Sequence, residues 1–177
     1  RHSYRIREVL RWSDVQPVTT EDVRYALEAV LLLPELQKYL TNSRNAKIML
    51  PEWEWIYWGD RPVRLHITDE RRFTLEFSIP CYGFTKMQVR SARWQMLIKP
   101  AHYLKQFHYR YQEKEKLAEK MRSDGFDGKP WDVYYHAVDP PVREAGYFMP
   151  ERILRIWEYP SLDPWIYESI STPERSV

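Results

Sequence analysis

An α+β fold, a small antiparallel sheet with helices packed beside it, is the class the sequence predicts. Three observations carry it. Val63, Leu65 and Ile67 alternate with Arg64 and His66, and Phe73, Leu75 and Phe77 alternate with Thr74, Glu76 and Ser78, on either side of Asp69-Glu70-Arg71. A period of two on both sides of a short turn is the pattern of a β-hairpin. Val23, Ala26, Leu27, Val30 and Leu31 recur at helical spacing, which gives one apolar face. The chain has 177 residues, 44% hydrophobic and 29% charged, enough for a core without disulfide staples.

Along the chain, Tyr4 and Ile6 alternate with Arg5 and Arg7, so a short strand is expected over 4–7. Trp12-Ser13-Asp14 turns the chain, and Pro17 blocks a helix until after it. Thr19 or Thr20 can cap the helix that follows, with Glu21 and Asp22 as first-turn charges at the positive end of its dipole. Pro34 interrupts that helix, and 35–40 add a short turn of another. The hairpin comes next, closed by Pro80. Helical spacing then recurs over 85–97, 101–108 and 112–123, the last ended by Gly125, and again over 131–138. Pro140-Pro141 break the chain, and 165–170 read as a strand. In the mixed run Glu113-Lys114-Glu115-Lys116, extended by Glu119-Lys120, the charges read as a solvated helix face.

Composition excludes several functions. With 27 basic and 25 acidic residues the net charge is +2, which gives no electrostatic reason for a nucleic-acid partner. Cys81 is the single cysteine; it follows a strand-ending Pro80 and has no local His, so neither a disulfide, a Cys-based metal site nor a catalytic thiol is expected. His102 and His108 stand six apart, a spacing that does not put two ligands on one helix face, and no metal or cofactor is expected. No stretch approaches the roughly 20 apolar residues that span a bilayer. The chain begins on Arg1-His2-Ser3-Tyr4, as if a strand were already under way, and stops without a cap at Val177, so both ends are expected to be cuts. The strands at 4–7 and 166–170 are then expected to lie near each other.

Four stretches carry a family resemblance. Tyr4-Arg5-Ile6-Arg7-Glu8 leads through Trp12-Ser13-Asp14 to Pro17-Val18-Thr19-Thr20-Glu21-Asp22-Val23; the hairpin runs from Val63 to Ile79; Ile98-Lys99-Pro100-Ala101-His102-Tyr103-Leu104 and Phe107-His108 follow; and Leu162-Asp163-Pro164-Trp165 leads to Ser171-Thr172-Pro173. Together they resemble the bacterial extracellular solute-binding proteins of family 5, the oligopeptide-, dipeptide- and nickel-binding subunits of ABC importers. Val15 stands where that family's turn carries Gly, and Asp163-Pro164 where Gly-Pro is more usual. The resemblance implies that residues 1–177 form part of the N-terminal lobe of a two-lobed periplasmic-binding-protein fold. It implies capture of an oligopeptide, or alternatively an oligosaccharide, outside the cytoplasmic membrane, and delivery to permease subunits, with the receptor peripheral to the membrane through a missing lipid anchor. It also implies that Trp12 packs its turn against the helix.

The aromatic run Trp53, Trp55, Tyr57 and Trp58 is the candidate ligand-binding site. If the segment is extended, Trp53, Trp55 and Tyr57 share one side and can stack on a sugar ring or a peptide side chain. The competing reading is that they bury against the hairpin beginning at Val63. No catalytic residue is named: Asp14, Glu21 and Asp22 could be taken for a carboxylate pair of a hydrolase, but no nucleophile, base and orienting group accompany them.

Overall fold

The structure, a computed structural model, describes residues 1–41, 54–84, 97–139, 154–155 and 158–162. It is an α+β arrangement: a three-stranded antiparallel sheet and short helices, the helix of 20–31 sharing a core with the sheet. The strands are β1 (His2–Arg5), β2 (Arg64–Ile67) and β3 (Arg72–Glu76), in the order β1-β3-β2. Leu65 pairs with Leu75 and Ile67 with Phe73, the register that alternation requires. β1 adds to the other side of β3, with Tyr4 opposite Phe73 and Arg5 opposite Arg72. It starts two residues earlier than expected. Ile6 has left the ladder and is buried, its N–H bonded to Arg71 O at 2.8 Å.

The helix after Thr19 forms as capping chemistry dictates. Thr19 Oγ1 accepts from Glu21 N–H and the Asp22 carboxylate accepts from Thr19 N–H, closing a capping box. α1 (Thr20–Arg24) then runs on as a π-helical segment, Tyr25–Leu31, in which Leu32 N–H reaches back five residues to Leu27 O. One apolar face was expected; there are two. Val23, Leu27 and Leu31 enter a core shared with Phe73, Leu75 and Phe84. Tyr25, Ala29 and Leu33 enter a second core with Leu104, Phe107 and Tyr134. The helix is thus the wall between two cores.

Pro34 opens α2 (Pro34–Thr41) instead of only ending the previous helix, its missing N–H costing nothing at a first-turn position. α3 (Ala101–Leu104) tightens into a 3₁₀ turn at Lys105–Phe107. α4 (Lys114–Ser123) buries Leu117 and leaves its charges outside, and Gly125 follows it at φ 81°, the left-handed region suited to glycine. α5 (Trp131–Val138) closes the second core with Tyr134, Tyr135 and Val138. Among the described residues no helix is long and apolar enough to cross a membrane. The helix expected over 85–97 and the strand over 165–170 lie largely or wholly outside the described residues, so the expected proximity of the two terminal strands does too.

Candidate functional site

The aromatic run is not extended where the structure describes it. Glu54–Tyr57 is a 3₁₀ turn, in which residues two apart diverge, so Trp55 and Tyr57 do not share a side. Trp55 turns inward, 2% exposed, with its ring 5.3 Å from that of Phe84. Tyr57 and Trp58 stay outside, 39% and 40% exposed. Trp53 lies outside the described residues. One of the four candidates therefore supplies core, as the competing reading had it, and two form an exposed edge.

That edge is held in place. The Trp58 indole N–H donates to Pro80 O at 3.2 Å, and Ser78 Oγ donates to Trp58 O at 3.3 Å. Ser78 Oγ also accepts from Asp60 N–H. Gly59 makes this docking possible. Its φ is +108°, and a Cβ there would sit 2.0 Å from Ser78 Oγ. Tyr57 OH accepts from Gln37 Nε2, which also donates to Leu31 O. Ile79, itself half-exposed, lies beside Gly59. Two oriented aromatic faces with their polar atoms already paired can stack on a flat apolar surface. Among the described residues no acid or base bonds either side chain.

The carboxylates singled out from sequence do other work. Asp22 is the first-turn helix charge the sequence led us to expect, but it is only 3% exposed and is also the centre of a clamp. Its Oδ2 accepts from Thr19 N–H (2.9 Å) and from the Trp12 indole (3.2 Å), and its Oδ1 accepts from Ala101 N–H (2.9 Å). Burial raises its carboxyl above the ordinary value, while the three donors and the His102 charge act against that. Trp12 is buried against the helix start, as the resemblance implied. Asp14 bonds His102 Nε2 at 2.7 Å, and Glu21 bonds Lys105 at 2.7 Å. Val15 takes φ +64°, the left-handed conformation that a glycine would adopt without strain.

The remaining candidates do not converge. His108 is fully buried 0% exposed, with Nε2 donating to Ala29 O and Nδ1 accepting from Arg110 N–H, the pattern of a neutral ring. Burial drives its pKa down to about 4. Cys81 is buried, and burial pushes its thiol up. In the second core Lys99 Nζ bonds Asp139 at 2.7 Å, Tyr159 OH bonds the same carboxylate at 2.9 Å, and Tyr25 OH pairs with Tyr135 OH at 2.7 Å. Sequence reading missed this network, because bonded partners within it are up to 110 residues apart. No group of three metal-ligating side chains occurs among the described residues.

A small antiparallel sheet walled by a two-faced helix defines the class of fold. Among solved structures the chain is similar to the oligopeptide-binding protein OppA, at 24% identity and a TM-score of 0.56, over 78% of this chain. The chain spans 19% of that protein's length, and the likeness is one of fold. No family model and no curated protein matches the sequence.

Proposed function

We propose that the chain is one unit of the N-terminal lobe of a two-lobed receptor that captures oligopeptides outside the cytoplasmic membrane and delivers them to an ABC permease. The observation that carries this reading is the meeting of the resembling stretches at one helix start. Thr20 N–H and Oγ1 bond Glu70 O and Asp69 O in the hairpin turn. Asp22 bonds Ala101 in the third stretch, and Ser13 exchanges two bonds with Ser161 just before the fourth. Stretches that resemble the family in order along the sequence also touch in space. Fold similarity to an oligopeptide-binding protein supports the same reading.

Ligand would be held between lobes by closure, with no covalent step. Tyr57 and Trp58 are the residues of this unit that would contact it. Their fixed, flat rings also favour a second reading, an oligosaccharide receptor of the same type. Closure needs contacts from both lobes, so this chain alone is expected to hold a pool of short peptides with a Kd of about 1 mM or weaker, about −4 kcal/mol. Calorimetry with that pool and with short glucans tests it. Peptide heats that vanish in Trp58→Ala support the reading. Glucans binding better than peptides would move it to sugars, and micromolar binding would contradict a ligand held by two lobes.

A further inference from the structure

The sheet has a second face, turned away from the core, and its chemistry is unlike that of the rest of the chain. Across it run Ser3, Thr74 and His66 in one row, with Thr74 between the other two, Arg5 opposite Arg72, and Arg64 opposite Glu76. The two hydroxyls of the first row bond each other at 2.9 Å, so these side chains do share the face. Residues 1–11 and 61–76 together carry eight arginines, no lysine and four carboxylates, although the whole chain is only +2. Positive charge is therefore gathered at the sheet.

Its carboxylates do not neutralise it evenly. Glu76 is shared by Arg1 at 2.6 Å and His66 at 3.2 Å, with Arg61 at 3.9 Å. At the other end Arg5 faces Arg72 directly, and like charges opposite each other destabilise a strand pair. Each leans on a local acid, Arg5 on Glu8 at 2.8 Å and Arg72 on Asp69 at 3.6 Å, in exposed pairs of the kind worth little. Arg7 and Arg64 have no carboxylate partner among the described residues. Arg5, Arg7 and Glu8 line a shallow depression of about 380 Å³ at this end.

We propose that this outer sheet face docks an acidic protein segment, an extended chain whose carboxylates pair with Arg5, Arg72 and Arg64. A guanidinium fork matches a carboxylate in two parallel hydrogen bonds, which a lysine cannot do. Strand spacing of about 4.8 Å and a same-face repeat of about 6.7 Å suit the side-chain period of another extended chain. Glu8, Asp69 and Glu76, interleaved with the arginines, favour a protein over a phosphate surface. A bilayer or a duplex would press anions against them, whereas a peptide can place its acids opposite the arginines alone. This surface does not depend on the receptor reading, since it uses neither the aromatic edge nor the clamp.

The test is fluorescence anisotropy of the full chain with a labelled ten-residue peptide of alternating Glu and Thr. Binding is expected at about 50 mM salt and is expected to weaken at least about tenfold at about 500 mM. Arg5→Glu combined with Arg72→Glu is expected to abolish it, and Arg64→Gln, a milder change, to weaken it several-fold. Lys116→Glu with Arg122→Glu changes net charge equally on exposed α4 and is expected to leave it intact. Equal loss in both double variants, no binding by the unaltered chain, or tighter binding to phosphatidylglycerol vesicles or duplex DNA than to the peptide would each overturn the proposal.

Discussion

The helix-start clamp and the aromatic edge each hold one tryptophan, yet they use it oppositely. At the clamp, Trp12 is buried and its indole N–H is spent on a buried carboxylate that also holds two backbone amides. At the edge, the Trp58 indole N–H is spent on a backbone carbonyl at the surface, and the ring face stays open. A directed polar bond thus fixes each ring, but only in the second case does it leave apolar area for a partner. The motif most specific in sequence is architectural, and the face free to bind lies in a segment without a motif.

The sharpest way to break this comparison is to remove the clamp's acceptor. Asp22→Ala leaves the Trp12, Thr19 and Ala101 donors buried without a partner, at about 1–3 kcal/mol each, so a loss of about 4–6 kcal/mol is expected in urea unfolding. Trp58→Ala, by contrast, is expected to cost about 1 kcal/mol or less, as an exposed position should. A reversed order would undo the contrast.

Trp55→Ala comes next. It empties a fully buried site against Phe84, and a loss of about 3–5 kcal/mol is expected, with little change in whatever peptide affinity the folded protein has. Loss of affinity without loss of stability would instead make Trp55 a ligand contact.

His108 gives the clamp's neighbouring core a pH dependence. Its folded pKa of about 4 lies below the ordinary 6.5, so the unfolded chain takes up the proton first. The stability from keeping the ring neutral is full above about pH 6.5 and is lost as pH falls toward about 4, roughly 3 kcal/mol in all. Urea midpoints across that range, alongside NMR titration of the imidazole, measure it; an imidazole titrating near 6.5 in the folded protein would contradict the burial account.

The smallest effect sits in the turn beside Trp12. Val15 is exposed and strained at φ +64°, so Val15→Gly relieves strain without removing packing, and a gain of up to about 1 kcal/mol in thermal unfolding is expected. A loss would mean that the chain entropy added by glycine outweighs the strain.

How legible each part was follows from how local its cause is. The hairpin could be read because Phe73 and Leu75 face one core and their neighbours face water, which imposes period two. The helix start could be read because Thr19 and Asp22 cap it within four residues. The helix's second apolar face was missed because Tyr25 and Ala29 carry weak hydrophobic signals and owe their burial to the second core. Asp22's third donor, Ala101, is 79 residues away, so the link from the cap to the third stretch could not be read locally. The Trp55–Tyr57 alternation misled because a 3₁₀ turn, not a strand, sets their directions.

Native-state amide hydrogen exchange measures the contrast between clamp and edge most directly. The amides of Thr19 and Ala101, both bonded to Asp22, are expected to exchange only with global unfolding, at the same free energy as the central β3 amides. The amides of Trp58 and Asp60 are expected to exchange through local opening, at a much lower free energy. Ala101 exchanging as readily as Trp58 would contradict the assignment of the Trp12–Asp22 stretch to architecture.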